Sequence, residues 1–128
     1  MDAGLTIRTA KGTARVSAKG APVADHRELY AGLVRLHVLY HACKEAVYGL
    51  EMIEELRRHG YELSAGTLYP LLHGLERKGL LRSVKRRIGG TERRVYRATK
   101  SGRAALCVAK AKVRELFGEL FEDNAGGP

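Results

Sequence analysis

The feature that most constrains the fold of this chain is a change in its apolar pattern near residue 80. Before this point apolar residues recur every three or four positions, which is typical of amphipathic helices. After it, residues 81–88 and 92–99 indicate two strands, and Gly89-Gly90-Thr91 between them favours a hairpin turn. Thr99 is then the expected cap of a last helix that runs to about Phe121.

Three helices are predicted before the hairpin. Asp25 is the expected N-cap of the first, with Glu28 three residues later as in a capping box. The second helix spans about 48–58, with Gly60 at its C-terminal cap. Its expected inner face carries Leu50, Ile53 and Leu56. The third helix spans about 65–78 between Ser64 and Gly79, and its expected inner stripe comprises Leu68, Leu71, Leu72 and Leu75.

A helix-turn-helix followed by a β-hairpin is a winged helix. The predicted fold is therefore mostly α with a β-hairpin wing: a winged helix-turn-helix plus a long C-terminal helix. The 128 residues divide into four expected parts. These are a flexible basic N-terminal arm (1–24), a winged-helix DNA-binding domain (25–99), a C-terminal dimerisation helix (100–122) and a disordered tail (123–128). The arm is either a solvated tail or an arm that follows a DNA groove.

Positive charge is concentrated in the predicted hairpin. The chain has 23 Lys and Arg against 14 Asp and Glu. Residues 82–103 hold nine basic residues and one acid, Glu92, so an excess of eight positive charges lies in this segment. Such a concentration indicates a polyanionic partner, with double-stranded DNA expected before acidic lipid. The cations beside the glycine turn would project from the wing towards phosphates: Arg86, Arg87, Arg93 and Arg94.

The outward face of the third helix is unusual for a solvated surface. At 100° per residue, the face opposite the leucines carries Ala65, Gly66, Tyr69, Pro70, His73 and Arg77, with Thr67 and Gly74 at its margin. Small residues allow a helix to sit closely in a major groove, where Tyr, His, Thr and Arg can reach phosphates and bases. An ordinary exposed face without a function is the alternative.

The two terminal helices are more apolar than one small domain can cover. The first carries Leu29, Leu33, Leu36 and Tyr40, beside a second row of Val34 and Val38. The last carries a heptad-like seam of Leu106, Ala109, Val113, Leu116 and Leu120, widened by Phe117 and Phe121. We therefore expect these helices to form a twofold homodimer.

Several other functions are not supported by the sequence. No apolar run is long enough for a membrane span, and the N-terminus lacks the apolar region of a secretory signal. Two distant cysteines, Cys43 and Cys107, do not form a disulfide framework, so a reducing cytoplasm is the expected location. Catalytic and cofactor-binding motifs are absent, so neither an enzyme activity nor a cofactor is predicted.

The stretch from Tyr48 to Thr99 resembles the PadR family of transcriptional regulators, and the resemblance extends more weakly over the first and last helices. The resemblance is carried by YGLEMIEELRRHG, then LSAGTLYPLLHGLERKGLL, then RRVYRATKSGRAAL. It implies a winged-helix DNA-binding domain with a dimerising C-terminal helix, usually a repressor. The implied roles are groove reading by Ser64, Thr67, Tyr69, Pro70 and His73, backbone contact by the Arg93-Arg94 region, and a phosphate near Tyr48. The family shares the proline inside the third helix, and the absence of Trp argues against stacking of a flat drug.

The expected function is that of a dimeric repressor on a pseudo-palindromic operator, released by an unidentified small-molecule effector. Three alternatives remain. The first is an architectural or protein-recruiting module that binds DNA without an effector. The second is a metal-responsive regulator, because His37 and His41 lie four apart on one helix, although Cys43 does not complete that site. The third is a thiol switch between Cys43 and Cys107, for which burial among core residues is the competing expectation.

Overall fold

Four α-helices and a hairpin of two eight-residue strands make up most of the chain in the computed structural model, which describes residues 6–9, 12–14 and 27–122. The helices are α1 (Arg27–Lys44), α2 (Gly49–Arg58), α3 (Ala65–Arg77) and α4 (Lys100–Phe117). A π-helical turn, Gly118–Glu122, continues α4. The strands are β1 (Thr6–Thr9), β2 (Gly12–Ala14), β3 (Val47–Tyr48), β4 (Tyr61–Glu62), β5 (Leu81–Ile88) and β6 (Thr91–Ala98). The predicted order of helices and hairpin is confirmed.

The core lies where α1, α2 and α3 meet the base of the hairpin. From α1, Val34 and Val38 are buried. The inner stripe predicted for α3 is confirmed for Leu68, Leu72 and Leu75, which are buried, whereas Leu71 packs half-buried against the core. Each fully buried side chain of this size stabilises the fold by roughly 1.5–3 kcal/mol. The remaining core residues come from α1, α2, β3, β5 and β6 and from the position after β4: Leu39, Ala42, Val47, Met52, Leu56, Leu63, Leu81, Tyr96 and Ala98.

The inner face predicted for α2 was partly wrong. Leu56 is buried as expected, but Leu50 is 50% exposed and Met52 is buried in its place. Residues 49, 52 and 56 and residues 50, 53 and 56 both recur at helical intervals of three or four positions, so the apolar pattern alone does not choose between the two faces. Gly49 is buried at the start of α2, which turns Met52 rather than Leu50 towards the core.

The caps predicted around α3 and α4 differ in their chemistry. Ser64 occupies the N-cap position of α3, but its hydroxyl does not bond to the helix backbone and instead donates to Thr67 Oγ1 at 3.4 Å. Thr99 caps α4 as predicted, because its Oγ1 accepts the Gly102 N–H at 2.9 Å. The same hydroxyl donates to the Gly79 carbonyl at 2.6 Å, which ties α4 to the end of α3.

The hairpin forms one edge of a three-stranded antiparallel sheet in the order β3-β6-β5. Ile88 pairs with Thr91, so the turn has two residues, Gly89 and Gly90, rather than the three predicted. Both turn residues have positive φ, 60° and 81°, as a two-residue hairpin turn of type I′ requires. This conformation is strained for any residue with a Cβ, which explains the glycine pair.

The N-terminal segment contains strands that the sequence did not predict. The backbones of β1 and β2 pair with each other, and β1 also pairs with β4 through Thr6 opposite Glu62 and Ile7 opposite Tyr61. The expectation of an arm without secondary structure therefore does not hold for residues 6–9 and 12–14. The open edge of β4 offers unpaired backbone groups that a passing strand can bond. The predicted cap Asp25 and the predicted tail 123–128 lie outside the described residues.

The C-terminal helix is held close to the base of the hairpin. Gly102 is buried, and a Cβ at this position would overlap the backbone carbonyl of Leu80. Leu80 in turn accepts a hydrogen bond from the Thr99 N–H at 3.0 Å. The first turn of α4 therefore packs directly on backbone. In the described part of the chain, no helix combines the length and the apolar character that a bilayer span requires.

We expect Gly102→Ala to lower the free energy of unfolding by about 1–3 kcal/mol, because the new methyl group meets backbone that cannot move aside. Gly74→Ala is the matched control, since its Cβ comes no closer than 3.8 Å to Arg77. That change should raise stability by about 0.5–1 kcal/mol. Urea unfolding at one fixed protein concentration measures both. Equal effects of the two substitutions would show that α4 does not pack on Leu80 as described.

Candidate nucleic-acid interface

The face of α3 predicted to enter a groove is largely free in the structure. Pro70, His73 and Arg77 are exposed, and so are Ser64, Ala65 and Gly66 at the N-terminal end of the helix. Thr67 is half-buried at the margin. Pro70 removes one backbone donor, yet α3 continues through it from Ala65 to Arg77. The sequence-predicted residues of α3 therefore form one continuous strip of small, polar and basic groups.

Tyr69 differs from its neighbours on this strip because it is half-buried against α2. A Cβ on Gly49 would overlap the Tyr69 hydroxyl and ring, so the absence of a side chain at Gly49 makes room for the tyrosine. On its other side the Tyr69 ring lies 6.3 Å from the His73 ring, between centroids. The sequence analysis did not identify Gly49. Its contribution depends on contact between two helices, which no local pattern reveals.

The wing places its cations opposite one another. In the register of β5 and β6, Arg86 is opposite Arg93, Lys85 is opposite Arg94, and Arg82 is opposite Arg97. Directly opposed residues project on the same face of a sheet, and like charges in that position are destabilising. Glu92 relieves only Arg87, which it faces. The hairpin thus carries three opposed cation pairs whose repulsion a polyanion would remove.

Contacts within the fold orient some of these cations. Arg94 donates to Ser83 Oγ at 3.1 Å, and Ser83 donates from its hydroxyl and its backbone N–H to Glu76 at 2.8 and 3.1 Å. This chain of bonds joins α3 to the wing. The Arg93 guanidinium lies 5.0 Å from the centre of the Tyr48 ring, which is a cation–π contact. Arg87 donates to the Gly90 carbonyl at 3.4 Å, and Arg86 is exposed.

Tyr48 therefore lies beside the wing rather than inside a helix. It is in β3, paired with Val95 of β6, and precedes the first residue of α2. Its backbone N–H donates to Glu51 at 3.3 Å, which supports the start of α2. The prediction that Tyr48 lies at the beginning of the second helix is correct to one residue. Its ring lies next to Arg93, which belongs to the region that the family resemblance implies contacts the DNA backbone.

The faces predicted to form a dimer are exposed in the single chain. On α1, Leu29 and Leu33 are exposed, as is Tyr40, whereas Leu36 is half-buried. On α4 and the turn that follows it, Leu106 and Ala109 are half-buried, and the remaining seam residues are exposed by 45–60%: Val113, Leu116, Phe117, Leu120 and Phe121. The rings of Phe117 and Phe121 lie 4.8 Å apart between centroids. An exposed apolar face of this extent is unusual for a monomer.

A groove of about 760 Å³ lies between α1 and α4, lined by apolar residues of both helices and by a group of histidines. His37 and His41 come from α1, and His59 follows the end of α2. Glu55 lies among them, with an Oε2 3.1 Å from His59 Nε2 and 3.5 Å from His41 Nε2. The sequence analysis missed His59 and Glu55, although their i, i+4 spacing at the end of the second helix was visible.

Burial changes the pKa of two of these histidines, His37 and His41. Burial lowers the pKa of His37, and the nearby His59 and His41 lower it further. Burial also lowers the pKa of His41, against the opposing effect of Glu55. Burial raises the pKa of the Glu55 carboxyl, but the bond from His59 and the charges of His41 and Arg58 outweigh it and hold that pKa below its usual value. At His37 and His41, neutral imidazoles beside an ionised carboxylate are therefore favoured.

The two cysteines do not occupy equivalent environments. Cys43 is half-buried and packs against the core, whereas Cys107 is exposed on α4. Both are free thiols. The expectation that both would be buried small residues was therefore wrong for Cys107, because position 107 falls on the outer side of α4, away from the core.

Comparison with known proteins agrees with this architecture. A sequence model described as the transcriptional regulator PadR-like family matches residues 38–107, more than half of the chain. The transcriptional regulator Rv3488 of Mycobacterium tuberculosis is 51% identical over 95 residues, which are 74% of this chain and 89% of that protein.

Solved structures share the fold. A PadR family transcriptional regulator from Eggerthella lenta has a TM-score of 0.67 at 32% identity, over 79% of this chain and 88% of that one. The protein smu.1704 of Streptococcus mutans has a TM-score of 0.71 at 23% identity, over 84% of this chain and 95% of that one, and supports the fold alone. With the winged helix, the exposed α3 face and the family match in agreement, this chain belongs to the PadR-like family of transcriptional regulators.

Proposed function

We propose that this protein is a sequence-specific repressor that binds double-stranded DNA as a homodimer in the cytoplasm and has no catalytic activity of its own. Each protomer places α3 in a major groove of a pseudo-palindromic operator, and the half-sites lie roughly one helical turn apart. His73, Arg77, Thr67 and the hydroxyl of Ser64 reach base edges or phosphates. The wing cations Arg86, Arg87, Arg93 and Arg94 contact the backbone, and Tyr48 holds Arg93 beside a phosphate.

The observation that carries this proposal is the register of the wing. Three cation pairs face one another across β5 and β6, at positions where like charges lower the stability of a hairpin. Charge placed to improve solubility alone has no reason to be paired in this way. Phosphates along a duplex would neutralise the pairs on the face that meets it, Arg86 with Arg93 and Arg82 with Arg97 on one face or Lys85 with Arg94 on the other, and would release condensed counterions. The arrangement therefore favours a polyanion, and the adjacent exposed face of α3 favours one with a groove.

Arg86→Ala tests the wing. It should weaken binding to all DNA sequences alike and reduce the slope of log affinity against log salt by about one, because one phosphate contact is lost. The measurement is fluorescence anisotropy on the chain's own upstream promoter fragment and on a scrambled fragment at several salt concentrations. Lys112→Ala is the matched control, since it removes one exposed cation of α4 outside the wing. If both variants lose affinity equally, only net charge matters and the wing has no specific role.

His73→Ala tests the reading helix. His73 is exposed, so its removal should leave the fold intact. We expect the preference for the operator over the scrambled fragment to fall by about 1–3 kcal/mol if His73 touches a base. Binding to the scrambled fragment should change little, because non-specific binding depends on phosphate contacts. A variant that keeps the full preference would show that this face of α3 does not read sequence.

The proposed dimer rests on the exposed apolar faces of α1 and α4. These two helices pack on each other within one chain, yet Leu29 and Val113 are still 68% and 45% exposed. A second copy would cover both faces with the same residues, as a twofold interface requires. The dimer also explains how a small core suffices, since association is a common source of stability for domains of this size.

Val113→Glu tests this interface. A carboxylate in the covered seam should raise the dimer dissociation constant by at least about tenfold, which corresponds to a loss of only 1.4 kcal/mol. Val108→Glu makes the same chemical change on the opposite side of α4, where Val108 is 60% exposed, and should leave the dimer intact. Sedimentation equilibrium over a dilution series measures both. A monomeric parent protein at micromolar concentration would contradict the proposed dimer.

Release from the operator is proposed to depend on the groove between α1 and α4. An effector bound there would contact the dimer helices and the end of α2 together. It would therefore shift the population between two angles of the reading heads relative to the dimer axis. An architectural protein that lacks an effector would show no such coupling and little site preference, so the operator measurement distinguishes the two functions.

A further inference from the structure

Three histidines from two helices converge in the groove. His37 and His41 lie one turn apart on α1, and the end of α2 brings His59 against them. One ring nitrogen of each lies within 4.8 Å of the others, and Glu55 places a carboxylate oxygen 3.1 Å from His59. The rings of His37 and His59 lie 4.8 Å apart between centroids. No sequence motif joins these residues, since α2 contributes His59 only through the packing of the helix-turn-helix.

Hydrogen bonding within the fold does not account for this arrangement. Nε2 of His41 is buried and has no hydrogen-bond partner among the described residues, although it lies 3.5 Å from Glu55 Oε2. A buried polar atom without a partner is costly and calls for an explanation. Neutral imidazole is the form that binds a metal ion.

We propose that His37, His41 and His59 bind one divalent transition-metal ion, with Glu55 as the fourth ligand. Zn–N bonds of about 2.0–2.1 Å place tetrahedral ligand nitrogens about 3.4 Å apart. The present spread of up to 4.8 Å exceeds that distance by about 1.4 Å, so binding requires small rotations about the histidine side-chain bonds. Three nitrogens and one carboxylate oxygen suit Zn²⁺, Co²⁺ or Ni²⁺, whereas Mg²⁺ and Ca²⁺ prefer oxygen ligands alone. Cys43 is not part of this ligand set.

The site is open to an ion from solvent, and a neighbouring side chain orients one of its proposed ligands. The histidines and Glu55 line the groove, so an ion reaches them from solvent without unfolding. Arg58 pairs with the other oxygen of Glu55, which orients the carboxylate for the ion as ligand-supporting groups commonly do. The Glu55 oxygen nearest His41 and His59 is therefore the one directed at the metal.

Metal binding would also join two parts of the fold. His37 and His41 belong to the proposed dimer helix α1, and His59 ends α2 of the helix-turn-helix. An ion held between them restricts the angle between these helices, and with it the spacing of the two α3 helices on DNA. This regulatory consequence rests on the proposed function, whereas metal binding itself does not.

The direct test is calorimetric titration of the full chain with Zn²⁺, together with the visible absorption of Co²⁺, whose intensity reports tetrahedral coordination. We expect one ion per protomer. His59→Gln and His41→Gln should each weaken binding by more than about 100-fold, because loss of a mere supporting group already costs about 10- to 100-fold. His73→Gln, which lies outside the cluster, should bind Zn²⁺ like the parent. Parent-like affinity in both cluster variants, or no tetrahedral Co²⁺ spectrum, would overturn the proposal.

Two further measurements keep the result interpretable. The melting temperature of the parent should rise with Zn²⁺, since a ligand that binds only the folded state stabilises it, and His59→Gln should lose this rise while remaining folded by circular dichroism. If His41→Gln fails to fold, the result of His59→Gln alone tests the proposal, because His59 is exposed at the end of α2 and its replacement should not unfold the protein.

The affinity of the protein for the operator is then compared in the presence of Zn²⁺ and in the presence of a chelator. Zn²⁺ binding without any effect on DNA would reject the regulatory consequence and leave the site intact, whereas absence of DNA binding under both conditions would reject the proposed function.

Discussion

The backbone carbonyl of Leu80 lies at the point where α3, the β5–β6 hairpin and α4 meet. It accepts the Thr99 N–H at 3.0 Å, and Gly102 of α4 lies against it without an intervening side chain. The Thr99 hydroxyl adds a bond to Gly79 at 2.6 Å, so the end of α3, the base of the wing and the start of α4 are fixed at one point. Backbone contacts of this kind tolerate little movement, because neither partner has a rotamer to change. The first turn of α4 is therefore fixed in direction relative to the end of α3 and the base of the hairpin.

The charged side chains of α2 pair with one another, whereas the cations of the wing mostly face one another. On α2, the acids Glu54 and Glu55 pair with Arg57 and Arg58 one turn later, so this helix carries little excess charge. In the wing, cations face cations, and only Glu92 opposes them. Glu76 and Ser83 orient Arg94 without cancelling the charge of the hairpin. The repulsion left in the wing is the energetic reason to expect an anionic partner there.

Helix α1 has three distinct faces, which lie against the core, at the surface and along the groove. Val34 and Val38 enter the core, Leu29 and Leu33 remain exposed on the opposite side, and His37 and His41 turn towards α2 and the groove. A helix in an isolated domain needs only one apolar stripe. The additional faces place the core, the proposed dimer and the proposed metal site on one rigid rod, so a change at any one of them reaches the others directly.

The sequence by itself determined the order of the elements, the hairpin and the charge of the wing. Periodicity, the glycine pair at 89–90 and the Thr99 cap are local signals, and local backbone preference is sufficient to read them. It did not determine that α2 buries Met52 rather than Leu50, that Gly49 accommodates Tyr69, or that β1 pairs with β4. It also did not reveal that His59 lies beside His37 and His41. These features arise where elements distant in sequence touch, and only the tertiary structure decides them, because the free energy of such contacts depends on the shape and direction of both partners.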